Sequence, residues 1–274
     1  MSMLNLRLIS GLESRGRITL RSFRRWSHSS VDKEEISKFA TQASSWWDPT
    51  GPASMLHRMN PVRVAFIRSA LELQNPVRNK RKPLEGLNIL DVGCGVGILS
   101  EPLARLGANV LGCDASEASI HVAKQHRREP LTSLYYTTRT VEELMKDPRR
   151  FDCVIASEVI EHVNEPRQFL SDCVSLLSSN GTFILSTINR TVMSYLATKV
   201  LAEDLLRLLP EGTHDWQKYP TPEEVAGELS AISMSVDEVA GMVFNPITRD
   251  FHLSENTAVN YILRASRDRS ASSE

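Results

Sequence analysis

Apolar and polar positions follow two rhythms along the middle of this chain. Short apolar runs at 87–91, 109–113, about 133–137, 151–157 and 181–187 read as buried strands. Between them, 98–106, 116–127, 140–146 and 166–177 carry apolar residues at helical spacing. This alternation predicts an α/β fold: a doubly wound, mostly parallel sheet with helices on both faces. Upstream, Asp32–Trp47 reads as a helix, with Asp32 as cap, Glu35 three residues on, and Ile36, Phe39, Ala40 and Ala43 on one face. The run Trp46-Trp47-Asp48-Pro49-Thr50-Gly51-Pro52 stops it. A second helix is expected from Asn60-Pro61, asparagine capping and proline in the first turn, to about Leu73, before a polar, basic linker at 75–83. After Asn189 the alternation breaks. Segments 192–209 and 221–229 read as helices, and two late strands, about 239–245 and 258–264, as an antiparallel hairpin that brings the sheet to seven strands. Residues 267–274 read as a disordered tail, and no internal repeat is visible.

The first strand runs into Asp91-Val92-Gly93-Cys94-Gly95-Val96-Gly97, and a helix follows. Strand, glycine loop and helix N-terminus make a nucleotide-type cradle, because glycine lets backbone N–H groups approach a ligand without a Cβ in the way. Asp114 ends the second apolar run, nineteen residues after Gly95, where an acid can accept both ribose hydroxyls. A dinucleotide fingerprint starting at Gly93 needs glycine at 98, and the chain has Ile98, which disfavours an NAD-dependent dehydrogenase. The D-x-G-x-G-x-G form resembles motif I of the S-adenosylmethionine-dependent methyltransferases. Gly93, Asp114 and Ser157 all fall at the carboxyl ends of strands, where ligands bind in such sheets.

The chain has 274 residues, 41% hydrophobic and 24% charged, the composition of one large domain or one domain with additions. A net charge of −1 gives no bulk electrostatic case for nucleic acid. No apolar stretch approaches the ~20 residues of a membrane-spanning helix. Residues 1–30 differ in kind: six arginines, several serines, no lysine and a single acid, Glu13. That is the composition of a mitochondrial transit peptide, with a disordered basic tail as the plainer alternative. The organisation expected is therefore a leader at 1–30, N-terminal helices and linker at 31–82, a core domain at 83–266 with a helical insertion at about 190–229, and the tail. Cys94, Cys113, Cys153 and Cys173 have no C-x-x-C spacing and read as buried free thiols.

Beyond the fourth strand lies Glu158-Val159-Ile160-Glu161-His162. Two carboxylates and an imidazole are a ligand set for a divalent cation, magnesium or manganese before zinc because the donors are hard. A loop shaped by Glu161 and His162 with Glu158 solvated explains the same residues without a metal.

The chain resembles the ubiquinone-biosynthesis O-methyltransferase family, specifically its mitochondrial branch, over residues 32–264. The resemblance rests on Trp46-Trp47-Asp48, Leu56-His57-Arg58-Met59-Asn60-Pro61-Val62-Arg63, Asp91-Val92-Gly93-Cys94-Gly95, Glu158 with Glu161-His162, Ser186-Thr187-Ile188-Asn189-Arg190, Gly212-Thr213-His214-Asp215 and Asn245-Pro246-Ile247-Thr248. One departure is Val96, where many members have glycine. The resemblance implies S-adenosylmethionine contacts at Arg63 (methionine carboxylate), Gly93, Asp114 (ribose) and Ser157, and a cation, Mg2+ above others, at Glu158, Glu161 and His162. It implies polyprenylated catechol acceptors, a dihydroxy-polyprenylbenzoate and a demethylubiquinol. His214 is a possible general base, with a loop-packing histidine as the equal alternative. Such acceptors live in lipid, so peripheral contact with the matrix side of the mitochondrial inner membrane is expected. The 192–209 helix offers Tyr195, Leu201, Leu205, Leu208 and Leu209 on one side and Lys199, Glu203, Asp204 and Arg207 on the other, which suits interfacial docking or a lid equally. A place in a multi-enzyme quinone-biosynthesis complex is expected. The competing reading is a non-catalytic scaffold in that complex.

Overall fold

This computed structural model describes residues 43–51, 53–73, 79–127, 131–194 and 218–268, together with 36, 37, 40 and 41. The leader, the tail, most of the 192–209 helix and His214 lie outside the described residues.

Among the described residues, eight strands form one sheet in the order β3-β2-β1-β4-β5-β8-β6-β7. β1 (Asn88–Val92), β2 (Asn109–Cys113), β3 (Leu134–Thr137), β4 (Phe151–Ser157) and β5 (Leu177–Ile188) run parallel. β8 (Asn260–Arg267) is antiparallel to β5 and to β6 (Met234–Asn245), which turns into β7 (Asp250–Ser254). Successive residues of β1 face opposite cores, Leu90 toward one and Ile89 toward the other, as strand geometry requires. α4 (Val141–Leu144), α5 (Pro166–Ser175) and α6 (Pro222–Ser230) cover the first face. α1 (Ser54–Glu72), α2 (Ser100–Arg105) and α3 (Glu117–His126) cover the second. All four cysteines are free and buried between these layers.

Three expectations need correction. The late strands do pair antiparallel, but they are not neighbours in sequence: β7 intervenes and makes the hairpin with β6, giving eight strands rather than seven. β7 escapes a pattern search because it is an edge strand with Asp250, His252 and Leu253 all exposed. The helix expected from Asn60 begins at Ser54 instead, and Pro61 sits inside it. Proline there costs a backbone bond. The cost is offset by a continuous buried face, Met59, Arg63, Phe66, Ile67, Ala70 and Leu71, that spans the proline. Arg63 consequently lies mid-helix rather than in a first turn.

Candidate functional site

The carboxyl ends of β1, β2 and β4 converge on the glycine loop. Gly93, Gly95 and Gly97 have φ of 66°, 54° and 88°, a region closed to most side chains. A Cβ on Gly97 would lie 2.1 Å from the Tyr136 hydroxyl, so only glycine lets the loop lie against β3. Asp91, 2% exposed, accepts from the Ser100 hydroxyl at 2.5 Å and ties the end of β1 to the start of α2. Burial raises its pKa to about 6. Asp114 accepts from the Gly95 N–H at 2.9 Å and from the Ser116 N–H at 2.7 Å, so it fixes the loop while staying half-buried at the end of β2. Burial raises its pKa and those two N–H bonds oppose the rise.

Arg63 reaches the same place from α1. Its guanidinium is buried, donates to Ser157 Oγ at 2.9 Å and to Asn60 Oδ1 at 3.2 Å, and leaves Nε without a partner. Among the described residues no carboxylate stands within ion-pair distance of it. Burial lowers its pKa, partly offset by the charges of Glu158 and Asp91. A buried guanidinium with a spare donor is a built receptor for an anion.

Ser157 continues a directed chain. Its hydroxyl bonds Ser186 Oγ at 2.8 Å, and Ser186 donates to Glu158 Oε1 at 2.7 Å. Ser186 spends its single proton on the carboxylate, so Ser157 is the donor to Ser186. Glu158 has φ 56°, unusual for a non-glycine residue and a mark of a constrained site. Glu161, 5% exposed on the 3-10 turn Ile160–His162, accepts from Thr187 Oγ1 at 2.9 Å. Burial raises the pKa of both carboxyls; Arg63 pulls Glu158 back, and the Glu158 charge raises Glu161 further.

Residues 90–185 match a family model described as a methyltransferase domain. The mitochondrial ubiquinone biosynthesis O-methyltransferase of Arabidopsis thaliana is 46% identical over 241 residues, covering 86% of this chain and 74% of that protein. The chain belongs to the ubiquinone biosynthesis O-methyltransferase family. The enzyme of that name from Methylobacterium nodulans is 41% identical over 240 residues, 87% of this chain and 96% of its own. Among solved structures, a magnesium protoporphyrin IX methyltransferase from Synechocystis PCC 6803 with bound S-adenosylhomocysteine matches at 25% identity and TM-score 0.53, covering 75% of this chain and 82% of that one. Its complex with S-adenosylmethionine matches at 20% identity and TM-score 0.56 over 88% of this chain and 100% of that one, a likeness of fold. As a family member the chain is an S-adenosylmethionine-dependent O-methyltransferase.

The structure joins Arg63 to Ser157 at the end of β4, and joins Asp114 to the glycine loop at the ends of β1 and β2. The metal set is only partly assembled. The Glu158 charge is felt at Glu161, and both side chains carry hard carboxyl oxygens. Among the described residues no group of three His, Cys, Asp or Glu side chains is close enough to hold a metal, so His162 does not complete a three-ligand cluster. Sequence reasoning missed Asn60, taken for a helix cap, which donates to the Ile98 carbonyl at 2.7 Å and braces Arg63. It also missed roles for Ser100, Ser186 and Thr187, whose hydroxyls hold the acids of the site; the last two sat unexplained in a family motif.

Proposed function

We propose that this protein transfers the S-adenosylmethionine methyl group to a catechol hydroxyl of polyprenylated ubiquinone precursors, the dihydroxy-polyprenylbenzoate and the demethylubiquinol. The observation that carries the reading is the pairing of opposite charges along one strand edge. An anion receptor at Arg63 sits beside the glycine loop, and an acidic pair, Glu158 and Glu161, sits just beyond it. The family's name brings the quinone-precursor acceptor to this chain.

Arg63 binds the methionine carboxylate through its spare donors, a charge-assisted contact in a dry setting. Asp114 accepts the ribose hydroxyls, and glycine at 93, 95 and 97 admits the cofactor against bare backbone. Ser157 lines the methionine side, oriented by Arg63 on one flank and Ser186 on the other. With the sulfonium fixed, the protein's main contribution is proximity and in-line orientation of the acceptor oxygen, worth up to about 7–11 kcal/mol in favourable cases. Glu158 and Glu161 are the carboxylates that would hold a divalent cation, magnesium by donor hardness; His162 lies on the same turn but does not complete their set. When bound, such a cation lowers the pKa of a catechol hydroxyl from the ordinary phenol value of ~10. A histidine held by a cation would be neutral and committed, so we do not assign His162 as the base; His214 is the alternative.

The arginine-rich leader and the mitochondrial Arabidopsis relative support a mitochondrial location, on the matrix side of the inner membrane. Among the described residues no helix is long and apolar enough to cross a membrane, and we assign membrane contact to the 192–209 segment. Membership of a quinone-biosynthesis complex completes the reading. The test is acceptor choice: labelled methyl should pass to a short-chain prenylated catechol and not to the matching monophenol. Equal transfer to both would refute a catechol-specific site.

A further inference from the structure

The glycine loop is gripped from outside the sheet by the segment that precedes it in sequence. Trp47 Nε1 donates to the Val96 carbonyl at 2.9 Å, and Asn60 Nδ2 donates to the Ile98 carbonyl at 2.7 Å. The Trp46 ring lies over Gly95, where a built Cβ would be 3.7 Å from Trp46 Cζ3. Val96, the residue that departs from the family's glycine, is 1% exposed and packs with Ala43, Ala53 and Ile98 against Trp46, Trp47 and Leu56. Trp47 is itself clamped. Its indole stacks on the His126 ring with centroids 3.4 Å apart and planes 5° from parallel. His126 Nδ1 bonds Glu101 at 2.8 Å; Glu101 is buried, and its second oxygen takes Arg105 at 3.1 Å. The Glu101 N–H returns to the Gly97 carbonyl at 3.1 Å, so the clamp closes on the loop it holds.

The physical need is plain. Three positive-φ glycines make the loop entropically costly to order. The C=O and N–H of a trans peptide point in opposite directions, so a carbonyl pinned toward the strap fixes the next N–H on the far side. With the Val96 carbonyl held, the Gly97 N–H meets the Cys94 carbonyl at 2.9 Å and the turn is closed.

We propose that Trp47 and Asn60 are positioning residues of the cofactor site: the strap at 46–51 and 53–60 pre-forms the glycine loop for S-adenosylmethionine, and His126 holds Trp47 in place. The proposal rests on the glycine loop being the cofactor cradle. It makes the N-terminal segment part of the active site rather than a separate appendage.

The experiment is calorimetric titration of the full chain with S-adenosylhomocysteine, which needs no acceptor, beside steady-state methyl transfer. Trp47→Phe keeps an aromatic ring for His126 and removes the donor together with the pyrrole half of the indole. It should weaken S-adenosylhomocysteine about 3- to 10-fold, the weight of one neutral hydrogen bond. The KM for S-adenosylmethionine should rise by the same factor, while kcat and the acceptor KM stay within about twofold, a split that a merely structural role would not produce. His126→Gln keeps a partner for Glu101 and loses the stack; it should shift affinity in the same direction. The double variant should lose less than the product of the two, because both act through one indole. Unchanged affinity in folded Trp47→Phe and His126→Gln overturns the strap. Absence of S-adenosylhomocysteine binding by the unaltered chain overturns the cofactor reading beneath it.

Discussion

The two halves of the proposed active site are built from different material. On the cofactor side the main chain does most of the shaping: glycines at 93, 95 and 97, and N–H bonds from Gly95 and Ser116 to Asp114. Each acid there has its partner inside the fold. On the side assigned to the acceptor, Glu158 and Glu161 are held by hydroxyls from β5; burial raises both pKa values, and Arg63 opposes the rise at Glu158. The first half is finished before ligand arrives. In the second, burial favours the neutral acids, Glu161 being raised to about 8, and a cation there would favour the carboxylates. The hydrogen-bonded chain from Arg63 through Ser157 and Ser186 to Glu158 joins them.

The comparison can be broken most severely at the acceptor side. Glu161→Gln keeps an acceptor for Thr187 but removes the ionisable carboxyl that a cation would bind; we expect methyl transfer to fall about 100- to 1000-fold, the usual weight of a lost electrostatic group at a reacting centre. Affinity for S-adenosylhomocysteine should stay within about twofold, so parallel losses would merge the two halves. Arg63→Leu is the converse. Stranding the cofactor carboxylate in a dry pocket should weaken S-adenosylhomocysteine about 100-fold by titration, in line with broken buried ion pairs.

Smaller effects sharpen the backbone half. Gly97→Ala places a methyl against Tyr136 and forces a strained φ, so it should destabilise the fold by about 1–3 kcal/mol in chemical denaturation. Adding Tyr136→Phe should recover part of this, since the clash is with the hydroxyl. The mildest test is pH. Burial lifts Asp91 from an ordinary 3.8 to about 6, so the folded chain keeps a proton that the unfolded chain has released. Folding stability contributed here therefore falls as pH rises from about 4 to about 6 and is level above that. Asp91→Asn should flatten that slope in denaturant titrations at several pH values. An unchanged slope would mean Asp91 is already ionised in the fold.

Much of this was legible because the signals are local. The glycine loop declares its backbone through residue type, and Asp114 follows at the end of the next apolar run. The start of α1 was misread because proline is a strong local cue, while the buried face that overrides it extends on both sides. β7 was invisible because an exposed edge strand needs no apolar alternation. Asn60, Ser100 and Ser186 act through partners 38, 9 and 28 positions away, which spacing alone does not pair. The aspartate, arginine and glutamate they serve were recognisable because charge is rare and purposeful inside a protein.

The central claim is that the acceptor half depends on a cation and the cofactor half does not. One preparation of residues 32–274 should be split, one part treated with chelator, and both assayed for transfer from labelled S-adenosylmethionine to a short-chain prenylated catechol and for S-adenosylhomocysteine binding. The account predicts that chelation abolishes transfer, that magnesium restores it, and that binding is the same throughout. Transfer indifferent to chelator would contradict it and leave Glu158 and Glu161 without the role assigned to them.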